Sequence, residues 1–351
     1  MSQTHPLGLH SMFLATPDES IRLSHEMHDV ALLVRIPIPM ERVRHILIDF
    51  IQTHIGNNAQ KMLEGHHFLN PFYVKSHVAH PVLSYGSFAY GVALNDSTVD
   101  LSLQNVDGDL DILIPKISQL FSEEEQFRVS SNDVSSKRRD LRSITLHHIP
   151  TNIITKLSFN QDAAVAASAR LARALEVHPI LVPVVLTLRA FLREMAATKQ
   201  HLTSFALVIS ILGFWNLFAT RNRENSRPLN SADILLAYLQ FFRSNTNGTT
   251  RNNQCTTEPG CFEFDSRFHC INIDGIFTRS HPSLYTLWFV GCPISHNHNV
   301  AEGCILVHHV QQWFAELYEV LGRYLQSSDR GVLVPTILPN LCQQIKQKRS
   351  G

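Results

Sequence analysis

Residues 82–101 read VLSYGSFAYGVALNDSTVDL. The apolar run Pro81-Val82-Leu83 leads into Gly86-Ser87, followed by Gly91 and a polar turn at Asn95-Asp96. From Val99 onward the chain alternates in the strand period. Val99, Leu101 and Leu103 fall on one face, Asp100 and Ser102 on the other. A Gly-Ser turn that opens a helix, followed by a strand carrying an acid, suits a triphosphate. Backbone N–H groups and a hydroxyl grip phosphate oxygens, while carboxylates hold magnesium.

Upstream, residues 1–16 read as an irregular tail, and Ser20 begins a helical pattern running to about Val34. Pro37 and Pro39 interrupt it. Glu41 to Ile55 then places Val43, Ile46, Leu47, Phe50 and Ile51 at helical spacing. Residues 56–80 read as a loop. Downstream, Asn105 to Asp111 reads as a turn, leading into a helix through Ile117 and Phe121 with Pro115 early in it. Residues 122–142 are charged and serine-rich. They read as an exposed connection whose densest basic cluster is Lys137-Arg138-Arg139.

Two β-rich runs, Ile144–Ile149 and Ile153–Phe159, flank Pro150-Thr151-Asn152 as a hairpin. The rest reads mainly as helix: 163–175, 179–195, 202–218, 232–242 and 305–325, with two short strands near 262–265 and 269–273. The order of elements makes the chain α+β, a mixed-sheet region combined with a mainly helical one.

These stretches together resemble the DNA polymerase β-like nucleotidyltransferases, and within them the branch of non-standard poly(A) polymerases and terminal uridylyltransferases. That branch shows Gly-Ser, a Gly four residues after the Ser, then Ser-Asp-hydrophobic-Asp. Here Gly86-Ser87, Gly91, Ser97 and Asp100 match, and Thr98 stands at the first metal-binding Asp. The third Asp of the branch lies in Asp-Ile-Ser-Phe-Asn-Gln. The matching segment is Lys156-Leu157-Ser158-Phe159-Asn160-Gln161, so Lys156 stands at the third. His25-Glu26-Met27 sits where relatives carry a His-Glu-hydrophobic helix.

Further on, Arg189 corresponds to a phosphate-reaching Lys, and Ser204-Phe205 to a Ser-Tyr pair whose aromatic ring stacks on the base. Pro293, Asn299 and Val300 keep traces of a base-recognition segment, while Gln200-His201 replaces the two Gly before the Ser-Tyr helix.

The resemblance spans roughly residues 20–325. It implies a palm-like sheet domain over 36–162 and a discontinuous, poly(A)-polymerase-type helical domain over 17–35 and 163–330. Residues 331–351 are left as a basic tail. It also implies nucleotide-binding roles for Gly86, Ser87, Arg189, Ser204 and Phe205, and Asp100 as the one matching catalytic carboxylate.

Composition restricts the alternatives. The chain of 351 residues is 44% apolar and 17% charged, which is globular rather than disordered. Formal net charge is zero, so no global field draws nucleic acid, and any basic groove is local. Twenty His make the chain cationic below about pH 6.5. No stretch of about 18 apolar residues predicts a membrane span.

Six Cys, at 255, 261, 270, 292, 304 and 342, form no C-x-x-C pair. An intracellular, reducing setting is expected, with nucleus, cytoplasm and mitochondrion left open. Zinc assemblies of Cys255, Cys261, Cys270 and His269, or of Cys292, His296 and His298, fit no common spacing.

Nucleotidyl transfer needs two magnesium ions anchored on carboxylates. Thr98, Asp100 and Lys156 offer one carboxylate and a cation, which opposes a divalent ion and favours an Asp100–Lys156 pair. The first expectation is therefore a catalytically degenerate homologue. It binds nucleotide or RNA, or scaffolds an RNA-processing complex with protein partners, and uses no cofactor. The second is an active adenylyl- or uridylyltransferase whose Mg²⁺ site combines Asp100 with Asp96, Asp107, Asp109 or Asp111. A third treats the site as vestigial, with partner surfaces elsewhere.

Overall fold

The computed structural model describes residues 15–63, 82–106, 110–131, 142–195, 202–221, 227–243, 264, 269–278, 288–295, 297–302, 304, 307–326 and 339. The chain divides into two units, Arg35–Glu176 and Met1–Val34 with Val177–Gly351. The expected features at 1–14, 64–81, Lys137-Arg138-Arg139, 244–263 and 340–351 lie outside the described residues.

The first unit is built on a five-stranded sheet. Its strands are β1 (Val82–Tyr85), β2 (Val99–Leu103), β3 (Phe127–Ser131), β4 (Ser143–His148) and β5 (Ile153–Phe159). Their order is β1-β2-β5-β4-β3. β2 and β5 run parallel and the other neighbours antiparallel, so the sheet is mixed. Alternation gives it one apolar face. Val82, Leu101, Leu103, Leu157, Ile144 and Leu146 bury there against Leu47, Ile51 and Ile55 of α2 (Ile38–Leu63). A further helix, Leu110–Ser122, adds Leu113, Ile114, Ile117 and Phe121 to the same core. Removing water from this much branched and aromatic surface is what holds sheet and helices together.

Three elements differ from the expected pattern, the third being a strand at Gly275–Thr278 that pairs with His269–Asn272 and was not expected. α2 begins at Ile38 and continues to Leu63, past the expected end at Ile55. Pro39 sits in its first turn, where a missing N–H costs nothing. Gly56 has open space on its side-chain face. Asn58 donates to the His54 carbonyl at 2.8 Å, which carries the helix through a polar stretch.

The serine-rich connection 122–142 contains β3. Phe127 and Val129 alternate inward while Arg128 and Ser130 are exposed, as befits an edge strand whose charges conceal its period.

In the other unit, α1 (Pro17–Val34) is followed after the sheet by α6 (Leu181–Met195), α7 (Ser204–Arg221), α8 (Ser231–Phe242) and α9 (Val307–Gln326). The numbering counts α3 (Gly86–Ala89), α4 (Leu110–Ser122) and α5 (Asp162–Val177) within or beside the sheet unit. A hairpin, β6 (His269–Asn272) and β7 (Gly275–Thr278), packs on α7. Gly213 makes that approach possible, since a Cβ there would lie 2.3 Å from the Asn272 carbonyl oxygen.

α8 is apolar on nearly every side and almost wholly buried, the pattern of a central helix. Around it Phe214, Tyr238, Phe242, Trp288 and Phe314 form one aromatic cluster, with Tyr238 and Phe242 4.5 Å apart between centroids. Asp233 is fully buried, yet accepts from Ser20, Arg227 and the Asn230 N–H, which ties α1 to α8. Glu26, part of the His-Glu-hydrophobic segment, accepts from the Tyr324 hydroxyl on α9. Among the described residues no helix is long and apolar enough to cross a membrane.

Candidate nucleotide-binding site

The sheet face opposite the core is polar, and strand register sets its contents. Tyr85 pairs with Asp100, Asp100 with Lys156, and Lys156 with Thr145. Residues in register on neighbouring strands share a face, so this row forms one polar ridge across β1, β2, β5 and β4. The expected adjacency of Asp100 and Lys156 is thus realised.

Burial pushes the Asp100 carboxyl up to about 6. The Lys156 charge and a hydrogen bond with Thr98 pull it back only in part. Among the described residues no ion-pair contact of 4.0 Å or less joins Lys156 to Asp100. Their attraction acts through space, and the ammonium is not tied down by a carboxylate.

The Gly-Ser turn leans on this row. Gly86 has φ +73°, and a Cβ built on it would lie 2.5 Å from Asp100 Oδ2. Only glycine allows both that conformation and that approach. The Gly86 N–H donates to Ser168 Oγ of α5 at 2.9 Å. α3 then opens with Ser87 partly exposed, and the Val92 N–H closes the turn onto the Ser87 carbonyl at 3.1 Å. Tyr85, held by donation to Ser158 Oγ at 3.1 Å, is raised above the ordinary phenol range by burial.

One row further along the strands, on the same face, Ser102, Ser158 and Ser143 are buried. Ser102, expected on the same face as Asp100, is inaccessible. Its Oγ accepts from Gln104 Nε2 at 2.8 Å and from the Gln161 N–H at 2.9 Å. Asn160, at φ 51°, clamps Val106 from both sides, accepting its N–H and donating to its carbonyl, each at 2.9 Å. The Ser-Phe-Asn-Gln segment therefore fastens β5 to the chain leaving β2.

The other acids lie elsewhere. Asp96 is exposed and acts on the buried guanidinium of Arg44, whose pKa burial lowers. Asp111 is exposed and pairs with Arg142. Asp107, Asp109, Cys255, Cys261 and His296 lie outside the described residues. Among the described residues no group of three His, Cys, Asp or Glu side chains is disposed to hold a metal ion.

Arg189, Ser204 and Phe205 belong to the helical unit. Arg189 is buried within α6. Ser204 and Phe205 sit partly exposed in the first turn of α7, where Thr203 Oγ1 caps the Ala206 N–H at 3.2 Å. Asn299 is a bracket for its own loop, accepting from Val290 and Ala301 and donating to the Trp288 carbonyl at 3.0 Å. Tyr85 and Ser168 were not singled out by sequence. Their only signals were a Tyr directly before the Gly-Ser turn and a Ser within an Ala-rich helix.

No protein-family model and no curated protein sequence matches the chain. Solved structures do. A cytoplasmic RNA terminal U-transferase aligns at TM-score 0.62 and 16% identity, over 90% of this chain and 97% of its own. The Cid1 poly(U) polymerase aligns at TM-score 0.62 and 13% identity, over 91% and 98%. A Cid1 complex with a UTP analogue aligns at TM-score 0.62 and 13% identity, over 90% and 97%. The mixed sheet and the helical unit thus take the fold of those terminal U-transferase and poly(U) polymerase structures.

Proposed function

We propose that this chain is a catalytically degenerate homologue of the template-independent RNA nucleotidyltransferases. It acts as a nucleotide- or RNA-binding, or scaffolding, subunit of an RNA-processing complex. The observation that carries this reading is the register of Asp100 with Lys156, beside Thr98. Cid1 relatives have been captured with Mg and 3′-dATP, and with the dinucleotide ApU. Two-metal transfer needs carboxylates where both ions sit.

Here the donor set at those places is a neutral hydroxyl, one carboxyl that burial renders reluctant to ionise, and an ammonium. These residues do not fit a pair of magnesium ions. Hard divalent cations want anionic oxygen, and a neighbouring ammonium opposes them. No catalytic step is therefore assigned through a metal.

What the chain retains suits grip rather than chemistry. The Gly86-Ser87 turn offers a hydroxyl and the end of a tight backbone turn beside Asp100, and Lys156 on the next strand can neutralise a phosphate. Arg189, Ser204 and Phe205 are proposed to contribute phosphate and base contacts. Equilibrium binding of ATP, UTP and a short 3′-hydroxyl RNA tests the binding role, with Ser87→Ala as the comparison. Binding that weakens in Ser87→Ala supports it. No binding of any of the three removes it and leaves scaffolding alone. The rival reading, activity through Asp100 and a second acid, requires RNA primer extension that disappears in Asp100→Ala.

A further inference from the structure

We infer that the ligand of the polar sheet face is a metal-free polyphosphate, and that magnesium weakens its binding instead of enabling it. This rests on the nucleotide-binding reading above and sharpens it. The argument begins with Lys156. Its register places it beside Asp100 on one side and Thr145 on the other, partly exposed on the polar face. Among the described residues no ion pair or hydrogen bond ties its ammonium. It is a cation on a flexible stem, three donors wide, in register with the Asp100 against which the Gly86 turn rests.

Among the described residues its register partners are Asp100 and Thr145; Tyr85 stands in register beyond Asp100, and Thr98 hydrogen-bonds the Asp100 carboxyl. Strands β3, β4 and β5 carry no acid at all, while Arg128 and His147 stand in register one row further out. Both features act in the same direction. A free triphosphate brings its full negative charge to Lys156. A magnesium-bound one has part of that charge cancelled and presents a divalent ion to an ammonium. Coulomb attraction to Lys156 is then reduced, and among the described residues the ion finds no cluster of three acidic or metal-ligating side chains. The ligand class is accordingly an uncomplexed polyphosphate, with the base contributing second.

The test is a set of titrations of the full chain with ATP, UTP and inorganic tripolyphosphate, each in EDTA and in saturating magnesium. The expected result is binding in EDTA that magnesium weakens about tenfold. Tripolyphosphate should show the same sign of response. Lys156→Gln should lose the EDTA-state binding and Lys156→Arg should keep most of it. The double substitution Thr98→Asp with Lys156→Asp should reverse the sign, so that magnesium tightens binding. Binding that needs magnesium in the unaltered chain, or is indifferent to it, overturns this inference and leaves the nucleotide-binding reading intact. No binding in either buffer overturns both.

Discussion

Two rows of one sheet face lie two residues apart along the same strands and behave differently. In the row of Leu83, Ser102, Ser158 and Ser143 the three serines are closed off from solvent, and only Leu83 on the outer strand is exposed. Ser102 and Ser143 are buried, and Ser102 and Ser158 are engaged by Gln104, Gln161 and Tyr85. The row of Tyr85, Asp100, Lys156 and Thr145 is half open, and holds a reluctant carboxyl beside an ammonium.

The Ser-Phe-Asn-Gln resemblance falls in and next to the closed row. The departures, Thr98 and Lys156, fall in or beside the open one. A motif can thus match strongly because its residues fasten strands, and that match says nothing about whether the neighbouring row can hold a metal.

The contrast breaks most visibly at Gly86. Gly86→Ala forces a side chain into a left-handed backbone position and onto Asp100. The expected cost is about 2–4 kcal/mol of unfolding free energy, together with loss of nucleotide binding. Part of it should return when Asp100 is also cut to Ala, because the collision is then gone while the backbone strain stays. A chemical-denaturation double-mutant cycle measures this, and strict additivity would mean the two groups do not meet.

Within the closed row, Asn160→Ala removes both links to Val106 and leaves an alanine at positive φ. About 2 kcal/mol of stability should be lost. Nucleotide affinity, read at a temperature where the variant is folded, should stay within about twofold of the unaltered chain, as expected of a clamp that touches no ligand. A larger fall in affinity would join the two rows into one functional unit.

The open row has a pH signature. The Asp100 carboxyl is raised from its ordinary value near 4 to about 6, so the folded state holds its proton longer than the unfolded chain does. The contribution to stability is therefore largest below about pH 4 and is lost as pH rises through about 6. Asp100→Asn should be more stable than the unaltered protein at pH 8 by on the order of 2 kcal/mol, with the gap closing near pH 4. Denaturation midpoints across that range give the curve. A gap that widens toward acid would show the carboxylate to be stabilised in the folded state.

The smallest effect concerns Ser168. Removing its Oγ releases the Gly86 N–H and should cost about 1 kcal/mol, with faster amide exchange at Gly86 that Ser168→Thr restores. Unchanged exchange would separate α5 from the turn.

Most of the architecture was legible because burial writes a period into the chain. β2, β5 and, apart from the far end of α2, the helices through 242 stand where alternation and 3.6-residue spacing put them, give or take a few end residues. β3 was hidden because an edge strand carries Arg128 and serines on its open side, leaving too few apolar residues to show the alternation.

At the site, the strand adjacency of Asp100 and Lys156 was expected from the order of the matched motifs, and β2 and β5 place the two in register. The part of Ser168 was not, since its contact with Gly86 bridges 82 positions along the chain. Nor was the burial of Ser102, whose Oγ accepts from the Gln161 N–H 59 positions along the chain.

The central claim is that the open row binds without performing nucleotidyl transfer. Its most direct test is incorporation of labelled ATP or UTP onto a 3′-hydroxyl RNA primer in magnesium or manganese, run with the unaltered chain and with Asp100→Ala. The account predicts no extension above background from either protein. Extension by the unaltered chain that disappears in Asp100→Ala would contradict it.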